Sequence, residues 1–273
     1  MPDKQTTATN VSARPAATAL ILRDGRAGLE VFMVVRNHEI DFASGALVFP
    51  GGKVDAEDAG PEWDDLVFGT PPYGLDRSFA IAALRETFEE AGMLIARCRG
   101  SDALIDAGEA HRLMAAQRAA SQQARFVDLI RDAKLELAMD LLVRFAHWIT
   151  PVGLPKRYDT HFFLVAAPVD QAGAHDGSES VEGFWIRPMD ALRDAREDRR
   201  SLVPATRLNL DKLSRSATVA DAVAAARVSS IVTVMPQVTR NADGSRSLKI
   251  PREAGYGISE LFVAAGERTA AGR

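Results

Sequence analysis

The chain has almost no cysteine: Cys98 stands alone, so no intrachain disulfide can form, and this composition fits a reducing compartment. It has no run approaching the ~18 apolar residues of a membrane span. Its first dozen residues are polar and lack the apolar core of a signal peptide. Charge of either sign is also scarce in excess. The net charge is −4 and the pI about 5.8, which excludes the basic footprint of a nucleic-acid binder. Internal repeats and low-complexity blocks are missing too. These absences lead us to expect a soluble, cytoplasmic protein with no membrane or nucleic-acid partner.

What is present suffices for a core. The chain has 273 residues, 47% of them hydrophobic. Residues 1–14 read as a loose tail. Ala16–Arg23 and Leu29–Arg36 are strand-like, separated by the turn Asp24-Gly25-Arg26-Ala27-Gly28. A short apolar run, Ala46–Phe49, ends at Pro50-Gly51-Gly52. Residues 53–76, rich in Asp, Gly and Pro, read as an insertion loop. A helix is expected from Ser78, as N-cap, to Ala91, with Gly92 as a left-handed stop. Met93–Ile95 reads as a strand, and residues 101–142 as a helical insertion beside the site. Val143–Thr150 and Asp159–Ala167 read as paired strands, and Val181–Ile186 as another. Pro188–Glu197 reads as a helix, Leu208–Arg227 as an Ala-rich helix, and Ile231–Ile250 as a hairpin turning at Asn241–Gly244. Strands mixed with helices on this scale predict a layered α/β or α+β fold.

The chemistry concentrates on the first helix. Glu86, Glu89 and Glu90 fall at i, i+3 and i+4, so three carboxylates crowd one face. Like charges at this spacing repel, and a hard divalent cation is the natural compensator. A solvated helix face is the commoner origin of such a pattern. Three histidines, His38, His147 and His161, show no metal-ligand spacing such as H-E-x-x-H and read as structural or surface residues. Phe162 and Phe163 cannot both face the core of a one-sided sheet, so one of them lines a pocket or lies under a helix.

Read together, Gly51-Gly52 and Arg85-Glu86-Thr87-Phe88-Glu89-Glu90-Ala91-Gly92-Met93 resemble the Nudix box, G-x5-E-x7-R-E-U-x-E-E-x-G-U. Thr87 replaces the usual bulky aliphatic. From Gly52 to Arg85 there are 33 positions, 19 more than the pattern allows. Counting back from Arg85, the first Glu of the box falls on Arg77, next to Asp76, so that acid is missing. Upstream, Arg36, Gly45 and Phe49-Pro50-Gly51-Gly52 sit at the offsets of a pattern found in coenzyme A-type Nudix hydrolases, with Asn37 and Asp41 departing from it. The interrupted box, the helical insert and Trp148-Ile149-Thr150-Pro151 with Arg157-Tyr158-Asp159-Thr160-His161-Phe162-Phe163 resemble the acyl-CoA diphosphatase group.

This resemblance implies a Nudix-type α/β/α sandwich with a mixed sheet over residues 15–200, carrying the loop insertion 53–76 and the helical insertion 101–142. Residues 201–273 would form a helical extension packed on the same domain. It implies Mg²⁺ or Mn²⁺ held by Glu86, Glu89 and Glu90, with Glu89 and Glu86 catalytic and Arg85 bracing them. Glu179, ahead of Glu182, is the candidate for an added base. Arg36, Gly45, Gly51, Gly52 and Arg157 are candidates for substrate contact. The expected substrate is CoA or acyl-CoA. Alternatives are another nucleoside diphosphate derivative (ADP-ribose, NADH, a nucleotide sugar or a dinucleoside polyphosphate), or an inactive binding module. A homodimer is suggested by family analogy only.

Overall fold

The computed structural model describes residues 11–36, 45–120, 125–171 and 180–265. In chain order the strands and helices are β1 (Arg14–Gly25), β2 (Gly28–Arg36), β3 (Leu47–Val48), β4 (Gly51–Lys53), β5 (Val67–Phe68), α1 (Arg77–Ala91), β6 (Ala96–Cys98), α2 (Ala107–Ala119), α3 (Phe126–Asp132), β7 (Leu135–Ala138), β8 (Val143–Ile149), β9 (Tyr158–Ala166), β10 (Ser180–Ile186), α4 (Pro188–Arg196), α5 (Pro204–Leu213), α6 (Val219–Val228), β11 (Thr233–Val234), β12 (Gln237–Arg240), β13 (Arg246–Lys249) and β14 (Glu260–Val263).

The main sheet runs β10-β2-β1-β9-β8-β11, with β3 added to β2 and β4 to β1. It is mixed: β1 pairs antiparallel with β2 and β4 but parallel with β9. β1 is apolar on both sides because it is buried on both sides. Ala17, Ala19 and Ile21 join one core with α1, α2 and α3, whereas Leu20 and Leu22 join a second core with α4, α5, α6 and the C-terminal strands. Alternation along β9 separates the two phenylalanines in the same way. Phe163 is fully buried on the α1 side, and Phe162 lies on the opposite face. The result is the expected α/β sandwich with a mixed sheet.

Several local readings change. The N-cap of α1 is Asp76, whose carboxylate accepts from Ser78 N at 2.9 Å, so the cap sits two residues before the expected one. Gly92 does close it, at φ +68°. Met93–Ile95 is irregular, and the strand begins at Ala96. The 53–76 insertion is ordered by short 3-10 turns and by β5. Trp63, 1% exposed, anchors it by donating Nε1 to the Glu57 carbonyl and packing on Phe126. The 101–142 insertion is not all helix, because β7 pairs with β5 and β6 in a small three-stranded sheet. The expected helix 208–227 is two helices, parted where Thr218 and Asp221 form a capping box that starts α6.

The C-terminal extension also contains a second three-stranded sheet, β12-β13-β14, and β11 joins the edge of the main sheet beside β8. A buried polar chain ties the extension down. Trp148 Nε1 donates to Tyr256 Oη at 2.7 Å, and Tyr256 Oη donates to Asn209 Oδ1 at 2.7 Å. Burial drives the Tyr256 hydroxyl above its ordinary value, so it stays protonated and keeps donating. Tyr256→Phe strands the Trp148 donor and the Asn209 acceptor, and urea titration should show a loss of about 1–3 kcal/mol.

Candidate active site

One guanidinium organises the candidate site. Arg85, on the buried flank of α1, donates Nε and Nη2 to the two oxygens of Asp58, each at 3.0 Å. Its Nη1 donates to Glu86 at 2.8 Å and to Glu89 at 2.9 Å, and Nη2 also donates to the Lys53 carbonyl at 2.9 Å. Burial opposes the charge on Arg85, but Asp58, Glu86 and Glu89 more than offset it and hold the pKa above its ordinary value.

Asp58 was missed in the sequence. It stands six residues after Gly52, the offset at which the box carries its first acid when counted forward from Gly52 instead of back from Arg85. The extra residues therefore separate that acid from the helix. Arg77, where the backward count landed, instead donates to Asp64 and to the Gly60 carbonyl, pinning the insertion. Asp58 is 1% exposed and its Oδ2 also accepts from Asp55 N, which locks the turn that presents it.

Two of the three glutamates, Glu86 and Glu90, meet the Gly51-Gly52 corner. Glu90 is buried, and its Oε2 accepts from Gly51 N at 2.9 Å. A Cβ on Gly51 would stand 2.5 Å from the Ala17 carbonyl, and one on Gly52 would stand 2.3 Å from Glu86 Oε1. Gly51 is required by its close approach to the backbone of β1, whereas a side chain at position 52 would displace the Glu86 carboxylate. Glu89 is partly withdrawn from water; burial raises its carboxyl pKa, with Arg85 pulling the other way. Gln117 Nε2 of α2 reaches Glu89 Oε1 at 3.3 Å, so the helical insertion borders the carboxylates. Asp58, Glu86 and Glu89 thus bond one guanidinium, Asp55 stands 3.5 Å from it, and Glu90 follows Glu89 on the helix, a donor set of hard oxygens with an excess of negative charge that suits a divalent cation.

Asp55, Arg85, Glu86, Glu89 and Glu90 line a cleft of about 1150 Å³. Its floor is the even-numbered face of the sheet (Ala16, Thr18, Trp148, Thr160, Phe162), and α5 and the β12–β13 sheet supply another wall. Arg36, Gly51 and Gly52 line the cleft. Two expected substrate contacts do not. Gly45, at φ +66°, is the turn residue between β2 and β3, its N–H bonded to the Arg36 carbonyl. Arg157 is buried and turned away, donating to the carbonyls of Thr150, Pro151 and Val11, so it braces a loop. Glu179 lies outside the described residues. Its neighbour Glu182 is exposed and paired with Arg200.

On the opposite face of β8 and β9, His147, Asp159 and His161 cluster within 4.8 Å. The two imidazoles are stacked, 4.0 Å apart and 5° from parallel, so their in-plane lone pairs do not converge on one ion. Asp159 bonds His147 Nε2 at 2.5 Å, and Thr233 bonds its Nδ1 at 2.8 Å. Burial first, then His147, depresses the His161 pKa to about 4.

Two measurements follow. Asp58→Asn leaves a buried guanidinium short of charge, and chemical denaturation should show a loss of about 3–5 kcal/mol. For His161, the unfolded chain takes up a proton near the ordinary 6.5 that the folded chain refuses until about 4. Stability therefore falls as pH drops through that window. The difference in urea midpoint between the wild type and His161→Phe should shift towards the variant between about pH 7 and about pH 4.5.

The sequence model of the NUDT19 Nudix domain matches residues 69–213, just over half of the chain. The acyl-coenzyme A diphosphatase NUDT19 of Gallus gallus is 28% identical over 215 residues, covering 62% of this chain and 56% of the relative. Its Homo sapiens counterpart is 27% identical over 237 residues, covering 71% and 63%. The chain thus spans about three fifths of the length of these curated relatives. A Nudix hydrolase crystal structure from Alicyclobacillus acidocaldarius superimposes with a TM-score of 0.65 at 29% identity, covering 78% of this chain and 96% of that one. With the same fold, a matching family model and the box residues gathered at one corner, the chain belongs to the Nudix hydrolase family as a NUDT19-type Nudix domain.

Proposed function

We propose that the cleft hydrolyses the pyrophosphate of CoA or acyl-CoA, releasing (acyl)phosphopantetheine and adenosine 3′,5′-bisphosphate. The observation that carries this reading is the corner where Glu86 and Glu90 meet the glycine backbone and, with Glu89, line one large cleft. Glu86, Glu89 and Glu90 would hold Mg²⁺ or Mn²⁺. Bound there, the cation would lower the charge of the pyrophosphate and the pKa of a water.

The remaining work falls to this chain's own residues. Arg85 orients Glu86 and Glu89 by a forked hydrogen bond, so their carboxylates are placed before substrate arrives. The Gly51 N–H holds Glu90 in place. Arg36, Lys53 and Lys156, also on the cleft wall, offer cationic contacts to phosphate oxygens. Apolar lining from Val48, Phe49, Trp148, Leu154 and Phe162 suits a long, less polar arm such as an acyl-pantetheine chain. The names carried by the curated relatives support the CoA assignment. The alternative keeps the chemistry and exchanges the substrate for ADP-ribose, NADH, a nucleotide sugar or a dinucleoside polyphosphate.

A substrate panel with Mg²⁺, read by mass spectrometry, tests the assignment. Release of adenosine 3′,5′-bisphosphate from CoA is expected; turnover of ADP-ribose or NADH alone would replace it with the alternative. Glu89→Gln and Glu90→Gln should each lower kcat by about two or more orders of magnitude with the thermal transition retained. Near-normal rates in both variants would remove these residues from the mechanism.

A further inference from the structure

The C-terminal sheet turns one face towards the cleft. Val238 and Arg240 of β12 and Arg246 and Leu248 of β13 line it, while the alternate residues of both strands do not. The register pairs Val238 with Leu248 and Arg240 with Arg246. Side chains directly opposite each other on an antiparallel ladder share a face, with Cβ atoms about 4.5–5.5 Å apart. Arg240 and Arg246 therefore stand opposite each other on the cleft face at the end of the hairpin, beside the apolar pair Val238 and Leu248.

Two cationic side chains on one face of a ladder, both lining the cleft, offer converging donors to an anionic group of the substrate. The turn that sets the pair is well ordered. Asn241 N donates to the Ser245 carbonyl at 2.9 Å, and Asp243 accepts from both the backbone and the hydroxyl of Ser245. Asp243 is thereby committed to the turn, and its carboxyl is held below its ordinary value by those bonds. The pair belongs to the C-terminal extension, whereas the carboxylates belong to α1. The cleft thus carries carboxylates at one end and a pair of arginines on a separate wall.

We propose that Arg240 and Arg246 form a specificity site for a second phosphate of the substrate, a phosphomonoester distinct from the pyrophosphate that is cut. A phosphomonoester carries close to two negative charges at neutral pH, and planar guanidinium groups match its oxygens two at a time. This rests on the CoA reading above, in which the 3′-phosphate of the ribose is that group.

The test compares CoA with dephospho-CoA, which lacks only that phosphate, using the full chain. The wild type should prefer CoA by at least tenfold in kcat/KM, and Arg240→Gln/Arg246→Gln should bring that preference close to unity. Arg252→Gln, an exposed arginine outside the cleft, should leave the preference intact and so controls for general loss of charge. A preference that survives in the double variant overturns the proposal, as does its absence from the wild type. If neither compound is hydrolysed, the CoA reading fails, and calorimetry still decides the arginine site. Adenosine 3′,5′-bisphosphate should bind at least tenfold tighter than AMP, with the difference lost in the double variant. Equal binding of the two nucleotides overturns the site.

Discussion

The site depends on a single buried cation. Arg85 is 8% exposed, and a guanidinium that far from water is tolerable only because Asp58, Glu86, Glu89 and the Lys53 carbonyl surround it. Each of these partners comes from a different stretch of backbone or a different turn of α1. The guanidinium therefore ties the insertion after β4 to the helix and aims two carboxylates outwards at once. Without it, the glutamates would be a repelling cluster on a helix face. With it, they are a preorganised acidic corner.

The rest of the fold supplies that corner with a cleft. Because β1 and β9 are buried on both sides, side chains of alternate parity serve two separate cores. Odd residues of β1 and β9 pack under α1 and hold it in position. Even residues form the floor of the cleft, which α5 and the C-terminal strands leave partly uncovered. The helical insertion borders the carboxylates through Gln117, and the extension closes another wall with Val203, Pro204, Val238 and Leu248. Segments outside the shared Nudix core thus shape the cavity, which is where substrate preference would be set within a common chemistry.

The stacked pair His147 and His161 shows how the same residue types serve structure on the other face of the sheet. Phe79 packs edge-on against His161, and Asp159 and Thr233 occupy both ring nitrogens of His147. Parallel rings point their lone pairs along parallel planes, so proximity alone does not make a metal centre.

The sequence by itself determined the local features: the i, i+3, i+4 glutamates, the Gly92 stop, and the paired phenylalanines on opposite faces. These are set by backbone period and by steric exclusion within a few residues, which a linear pattern records. Only the tertiary structure decided which distant groups meet. It found Asp58 as the partner of Arg85 across the inserted residues, took Arg157 and Gly45 away from the cleft, and brought the β12–β13 hairpin to it. Such pairings depend on how turns of irregular length close and on which buried charge must be neutralised. Neither is written in the spacing of a motif.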